Sequence, residues 1–139
     1  MINEIKNEDG YSFLVNIFSD YVLDKDPFRK VFGFYLDDTL IGVIDVSVIY
    51  ERMEINYIAI LNEYRRHGVG RKLIDSVLKK FKINSVSLEV SSNNTNALLF
   101  YEKIGFKKTA IRKGYYKGID GILMVMEVRW YNENFSNRI

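Results

Sequence analysis

The stretch MEINYIAILNEYRRHGVGRKLIDSVLKKFKINSVSLEV, residues 53–90, changes its hydrophobic period twice. Residues 53–61 are rich in β-branched and aromatic side chains and residues 85–90 alternate, which predicts two strands. Between them, apolar residues recur on one face and predict a helix over about residues 68–82. That face consists of Leu73, Ile74, Val77, Leu78 and Phe81. Because a helix joins the two strands, we expect parallel neighbours with a right-handed crossover.

Patterns on both sides of this unit predict five further strands and two further helices. The strands are expected at residues 1–5, 31–36, 40–51, 106–113 and 120–129, and the helices at residues 9–23 and 95–104. Pro27, the only proline, lies in a charged loop, and Gly105 is placed to end the last helix. The sequence therefore predicts one α/β (α+β) domain over residues 1–139, with a mixed, mostly antiparallel sheet of about seven strands flanked by helices.

The composition excludes several classes of function. Lys and Arg total 20 and Asp and Glu total 18, so the net charge of +2 indicates neither a nucleic-acid partner nor a membrane partner. The absence of cysteine excludes thiol nucleophiles, and the single histidine, His67, excludes a His-rich metal centre, so no metal is expected. The N-terminus lacks the features of a signal peptide, and no apolar run approaches ~20 residues, so we expect a cytoplasmic protein.

The turn RRHGVGR, residues 65–71, has the chemistry of an anion site. A helix that begins near Gly68 leaves its first amides without intrahelical partners and carries partial positive charge there. Gly68 and Gly70 let the backbone approach a bulky anion, and Arg65, Arg66 and Arg71 add charge and donors. A pyrophosphate fits this turn better than a carboxylate does.

Two glycine motifs of nucleotide-binding proteins fit this turn poorly. A P-loop needs a Lys-Ser/Thr pair after its second glycine, whereas Gly70 precedes Arg71, Lys72 and Leu73. A dinucleotide site needs a third glycine where Leu73 stands. Considered alone, the glycine turn is as consistent with a capped surface turn as with an anion site.

Three segments together resemble the GNAT acetyltransferase superfamily. RRHGVG, residues 65–70, resembles its Arg/Gln-x-x-Gly-x-Gly/Ala acetyl-CoA loop. LEVSSNNTNALLFYEKIGF, residues 88–106, closely resembles the matching segment of the bacterial ribosomal-protein alanine N-acetyltransferases, and RKGYYKGIDGILMVME, residues 112–127, extends the resemblance. The resemblance implies a GNAT fold whose sheet is splayed between two central parallel strands, with acetyl-CoA as cosubstrate and an amine as acceptor.

The resemblance also implies roles for individual residues. The backbone of Ile58, Ala59 and Ile60 would contact the pantetheine arm of acetyl-CoA. The pyrophosphate would be cradled by Arg65, Arg66, His67, Gly68, Val69, Gly70 and Arg71. Asn94 would contact the pantetheine through its side chain.

Two further residues would carry the chemistry. Glu89 matches the family's general base, and Tyr101 stands where a phenol lies beside the thioester sulfur. An attacking amine must lose a proton and the departing thiolate must gain one, so a carboxylate and a phenol suit these steps. Structural interpretations compete: Glu89 could face solvent, Tyr101 could be a core tyrosine, Asn94 only a helix cap and His67 only a loop residue.

The acceptor is the least determined part of the prediction. We expect a protein N-terminus, with a lysine or a small amine such as a polyamine or antibiotic as alternatives, and a noncatalytic acyl-CoA-binding module as a competing class. Tyr115 and Tyr116 either line the acceptor site or form an aromatic hairpin. The sequence departs from the ribosomal-protein enzymes at three places. Leu61-Asn62 follows the central strand, the segment between Tyr116 and Asp120 is short, and little helix is expected near residues 25–30. A monomer and a homodimer are both compatible with the sequence.

Overall fold

A computed structural model of the chain describes residues 1–5, 8–18, 21 and 26–129. The strands are β1 (Ile2–Glu4), β2 (Arg29–Leu36), β3 (Thr39–Ile49), β4 (Arg52–Ile60), β5 (Ser85–Ser91), β6 (Lys107–Tyr116) and β7 (Ile119–Glu127). The helices are α1 (Glu8–Ile17), α2 (Val69–Phe81) and α3 (Thr95–Ile104), with a 3-10 turn at Asn62–Tyr64. The strands form one mixed sheet in the order β1-β2-β3-β4-β5-β7-β6. The predicted fold class is confirmed.

The two central strands, β4 and β5, are parallel and diverge after a short paired segment. Their register joins Arg52 to Ser85, Met53 to Val86 and Glu54 to Ser87. Beyond Glu54, β4 continues to Ile60 on the β3 side alone, while β5 continues along β7. The sheet is therefore open between β4 and β5, as the family resemblance implied.

A bulge in β4 stands where this divergence begins. Asp45 is opposite Tyr57 and Val46 is opposite Ile55, so Asn56 is the extra residue of β4. A bulge bends its strand and increases the local twist. The bulge lies just beyond Glu54, the last residue of β4 that pairs with β5, so it coincides with the place where the two strands part.

The sheet carries an apolar core on each face. One face packs against α2 and α3, with Ile44, Leu73 and Leu88 almost fully buried. The other face packs against α1, where Leu14 and Val43 are fully buried. Because side chains of a strand alternate between faces, neighbouring residues of the central strands serve different cores.

Several predicted boundaries differ from the observed ones. The helix expected over residues 9–23 is observed as Glu8–Ile17, and part of its predicted end lies outside the described residues. Within residues 26–30 the chain makes a turn and then enters β2, two residues earlier than expected. The predicted end of β6 at residue 113 is wrong, because β6 runs to Tyr116. Gly114, at φ 64°, takes a left-handed conformation that lets the strand absorb extra residues.

Candidate active site

A cavity of about 770 Å³ lies where β4 and β5 diverge. Its walls include Tyr57 and Ile58 of β4, Glu89 of β5, and Asn94 and Tyr101 at α3. Strand pairing does not close this region, because within the described part of the chain no strand pairs with the second half of β4 on the β5 side. The open sheet thus provides a pocket rather than a continuous hydrogen-bonded ladder.

Glu89 and Tyr101 reach this cavity from opposite faces of the sheet. Leu88 and Val90 belong to the same core as Tyr101, and Glu89 alternates with them along β5. Both Glu89 and Tyr101 nevertheless line the cavity. The gap between the strands therefore gives one space access to a carboxylate from one face and a phenol from the other.

The Tyr101 side chain is buried and packs against two aromatic rings. Its ring is 7% exposed and makes edge contacts with Phe100 and Phe106, at centroid distances of 5.1 and 5.4 Å. Burial raises the pKa of Tyr101 well above its ordinary value, because ionisation would place a charge in an apolar environment. The hydroxyl is therefore protonated at neutral pH.

The Glu89 carboxylate contacts the β6–β7 hairpin. Its Oε2 lies 3.0 Å from Nε of Arg112, and its Oε1 accepts a hydrogen bond of 3.5 Å from the Tyr116 hydroxyl. The Glu89 side chain is 17% exposed, so it does not simply face solvent. Burial and the negative charge of Glu89 raise the pKa of Tyr116, so Tyr116 stays a donor at neutral pH. Sequence reasoning assigned no role to Arg112, because nothing in the chain order relates position 112 to position 89.

The glycine turn has the backbone geometry of an anion site. Gly68 caps α2 in the left-handed conformation, at φ 79°, without a side-chain hydrogen bond to the first turn. A Cβ at Gly68 would have no atom within 4 Å, so the space in front of it is open. Arg66 also has a positive φ, of 67°. Open space thus adjoins the N-terminus of α2, where the first amides have no intrahelical partners, and this arrangement suits a bulky anion.

The side chains of the turn have different surroundings. Arg65, Arg66 and His67 are exposed, whereas Val69 and Gly70 are buried at the start of α2. A Cβ on Gly70 would lie 3.1 Å from the Phe100 ring, so a larger residue there would crowd the contact between α2 and α3. Two of the turn's arginines contact nearby oxygens. Nε of Arg65 donates to the Ile60 carbonyl at 3.1 Å, and Nε of Arg71 lies 3.9 Å from Oδ2 of Asp75.

The remaining predicted contacts lie at the ends of β4 and β5. Ile58 lines the cavity, while Ala59 and Ile60 pair with β3 through one edge of β4. Asn94 accepts a hydrogen bond of 3.2 Å from the Ala97 amide through Oδ1, which confirms that it caps α3. It also lines the cavity, so capping does not remove it from the site.

The sequence analysis did not predict a buried polar network that lies beside the cavity, at the end away from Asn94. Asp45 is fully buried and contacts Nε of Arg29 at 2.8 and 3.0 Å. Its carboxylate also accepts hydrogen bonds from the Tyr21 hydroxyl at 2.7 Å and from Nδ2 of Asn56 at 3.1 Å. Arg29 and Asn56 line the cavity. The sequence did carry one sign of this network, because Asp45 is the only acidic residue in the apolar run LIGVIDVSVIY, residues 40–50.

Two negative findings apply to the described ranges, residues 1–5, 8–18, 21 and 26–129. No helix there has the length and apolar character needed to span a bilayer. Nor do His, Asp and Glu side chains form a group of three or more that could hold a metal ion.

Known proteins resemble this chain in sequence and in fold. An N-alpha-acetyltransferase of Saccharolobus solfataricus is 32% identical over 122 residues, which cover 84% of this chain and 70% of the relative. Other curated relatives are matched over about half of their length. The ribosomal-protein-S18-alanine N-acetyltransferase of Escherichia coli has a TM-score of 0.79 at 21% identity, covering 96% of this chain and 97% of that one.

A second solved structure has the same fold with its cosubstrate present. It is a GNAT family acetyltransferase of Elizabethkingia anophelis with acetyl-CoA bound, with a TM-score of 0.74 at 21% identity, covering 91% of this chain and 97% of that one. At these identities the structures establish the fold. The model of the acetyltransferase (GNAT) family matches residues 3–106. The chain therefore belongs to the acetyltransferase (GNAT) family.

Proposed function

We propose that the protein transfers the acetyl group of acetyl-CoA to a primary amine, the α-amine of a protein N-terminus. The proposal rests above all on one cavity, between the diverging strands β4 and β5, that Glu89 and Tyr101 both line. The archaeal relative, an N-alpha-acetyltransferase by name, supports the choice of an N-terminal acceptor.

Acetyl-CoA would enter from the end of β4 that leads into the glycine turn. The amides of residues 66–71 and the arginines beside them would bind the pyrophosphate, since Gly68 faces open space. The pantetheine arm would lie against the backbone of Ile58, Ala59 and Ile60, on the edge of β4 that β5 leaves free, with Asn94 on the other side.

The chemistry then follows from the two ionisable side chains. Glu89 accepts a proton from the acceptor ammonium, directly or through water, and the amine nitrogen attacks the thioester carbonyl carbon. A strand amide near Ile60 stabilises the tetrahedral oxyanion. The C–S bond breaks as the amide forms, and Tyr101 donates a proton to the departing thiolate. The nitrogen loses its second proton in the same step, and that proton returns through water to Tyr101, while the proton on Glu89 leaves to solvent. The products are the N-acetyl amine and coenzyme A, without a covalent enzyme intermediate.

The test is release of free thiol from acetyl-CoA in the presence of peptides with different N-terminal residues, followed by mass spectrometry of the peptides. We expect acetylation of the α-amine, with kcat reduced at least 100-fold in Glu89→Gln and in Tyr101→Phe. Binding of acetyl-CoA without turnover on any acceptor would instead identify a noncatalytic acyl-CoA-binding module.

A lysine side chain or a small amine is a second acceptor class that one observation favours. Asp26 and Glu54 line the cavity at the end away from the glycine turn, and no ion pair joins either of them to another described residue. These carboxylates would suit an acceptor with an additional positive charge. The same assay with α-N-blocked lysine peptides and with polyamines separates this class, because acetylation there needs no free N-terminus.

A further inference from the structure

The turn end of the β6–β7 hairpin contacts both oxygens of the Glu89 carboxylate. Arg112 approaches Oε2 at 3.0 Å and the Tyr116 hydroxyl approaches Oε1 at 3.5 Å. Neither residue is adjacent to Glu89 in the ladder, since β7 lies between β5 and β6. Side chains of β6 therefore reach across β7 to the Glu89 side chain, which we assign as the base.

The Arg112 guanidinium is itself held by an aromatic ring. Its Cζ lies 4.2 Å from the centroid of the Tyr115 ring, and Tyr115 makes an edge contact with Tyr116 at 4.9 Å. The Arg112 side chain is 59% exposed, so packing in a core does not fix it. A guanidinium stacks well on an aromatic face, and this contact restricts its orientation toward the carboxylate.

The backbone of the hairpin is irregular at the same place. Arg112 is opposite Gly121 and Tyr116 is opposite Ile119, so three residues of β6 face one residue of β7. The Gly114 amide donates a hydrogen bond of 2.9 Å to Oδ1 of Asp120, which holds the extra residues in place. The bulge brings Arg112, Tyr115 and Tyr116 to one end of the hairpin.

We propose that Arg112 is a positioning residue, which holds the Glu89 carboxylate for proton transfer from the acceptor. This inference rests on the proposed function, since it assumes that Glu89 is the base. Arg112 cannot be the base itself, because a guanidinium stays protonated in proteins. Its contact limits rotation of the carboxylate, and misplacement of a catalytic group by about 1 Å can cost on the order of 100-fold in rate.

The test compares steady-state kinetics of a small set of variants in the full chain. Arg112→Ala should lower kcat about 10- to 100-fold while KM for acetyl-CoA stays within about twofold, because the glycine turn is untouched. Arg112→Lys keeps the charge without the planar guanidinium and should restore part of kcat. Tyr115→Leu removes the aromatic ring that holds the guanidinium and should lower kcat as Arg112→Ala does.

A matched control and a double variant make the test specific. Lys113→Ala removes the neighbouring exposed cation of the same bulge, which pairs with Asp120 rather than Glu89, and should leave kcat unchanged. If Arg112 acts through Glu89, adding Arg112→Ala to Glu89→Gln should cost less than about twofold further. A full additional loss would show that Arg112 acts elsewhere and would overturn the proposal.

The outcomes also separate this inference from the proposed function. If the wild-type protein is active, Glu89→Gln has a low kcat and Arg112→Ala has the wild-type kcat, the role of Arg112 alone is overturned. If the wild-type protein is active and Glu89→Gln also has the wild-type kcat, Glu89 is not the base and Arg112 does not position one, although acetyl transfer stands. A wild-type protein that acetylates no amine would overturn the proposed function. Thermal unfolding should show each variant folded, and Arg112→Lys tests the proposal should Arg112→Ala fail to fold.

Discussion

Nδ2 of Asn56 donates a hydrogen bond of 3.1 Å to Oδ1 of Asp45 across the position where β3 and β4 lose register. The same nitrogen donates to the Ser47 hydroxyl at 2.9 Å. The extra residue of the bulge is thus fixed by its own side chain to β3, the strand it bulges away from. Because the bulge coincides with the place where β4 and β5 part, we expect this contact to support the opening that forms the cavity.

We therefore expect Asn56→Ala to lower both stability and activity. Loss of a hydrogen bond to a charged group costs about 1.5–3 kcal/mol, and a looser bulge should lower kcat by narrowing the cavity. Denaturant unfolding and thiol-release kinetics measure the two effects. Asn84→Ala, at an exposed asparagine, is the control and should stay within about 0.5 kcal/mol of the wild type. Unchanged kcat in Asn56→Ala would show that the bulge needs no side-chain support.

Replacing Asp45 should have a larger effect than replacing Asn56. Asp45 is fully buried and accepts from Arg29, Tyr21 and Asn56, so Asp45→Ala leaves Arg29 without its counter-charge in the protein interior. Breaking one side of a buried ion pair costs about 3–5 kcal/mol. Denaturant unfolding should show that loss, and the Asp45→Ala/Arg29→Leu double variant should recover part of it. Equal stability of the single and double variants would contradict a coupled pair.

The central part of this fold could be read from the sequence because its signals are local. The change from strand to helix to strand over residues 53–90 depends on hydrophobic period alone, and the two glycines mark the turn directly. The contacts of Glu89 depend instead on the order β5-β7-β6 and on a bulge at Gly114, which no local pattern records. For the same reason the buried Asp45 network was missed, since its members come from four separate segments.

Substitutions at Gly68 can separate two requirements of the anion site, which are a left-handed backbone and empty space beside the start of α2. Alanine at φ 79° should cost about 1–2 kcal/mol of strain, whereas asparagine tolerates that conformation better. Both side chains would enter the open space in front of Gly68, so both should weaken coenzyme A binding at least tenfold by calorimetry. Gly118, also left-handed and open but in the β6–β7 turn, is the matched control. Gly118→Ala should lose stability with unchanged affinity.

The alkaline side of the stability profile should report the buried Tyr101. Burial raises its pKa in the folded state above the ordinary value near 10. The stabilisation is therefore fully present below about pH 10 and is lost as pH rises further, because the unfolded chain ionises first. Tyr101→Phe should flatten the decline of the unfolding free energy above pH 10 by up to about 1.4 kcal/mol per pH unit.

Denaturant titrations between pH 8 and pH 11 measure this slope. Tyr21→Phe should also flatten it, because burial and then the hydrogen bond to Asp45 raise the pKa of Tyr21. Tyr50→Phe removes a hydroxyl from a side chain that is 88% exposed and serves as the control. An identical slope in wild type and Tyr101→Phe would mean that the Tyr101 hydroxyl is accessible to water in solution.

Gly121 gives the Glu89 carboxylate room, so enlarging it should slow catalysis. A Cβ at Gly121 would lie 3.3 Å from Cδ of Glu89 and 3.2 Å from the Tyr116 ring. Both side chains would have to move, and overpacking of this kind costs about 1–3 kcal/mol. We expect Gly121→Ala to lower kcat at least tenfold with little change in KM for acetyl-CoA. Gly10→Ala is the control. A Cβ at Gly10 would be equally crowded, at 3.1 Å from Val31, but Gly10 belongs to α1 and its Cβ would not meet Glu89. If both variants slowed turnover equally, general crowding rather than displacement of Glu89 would explain the loss.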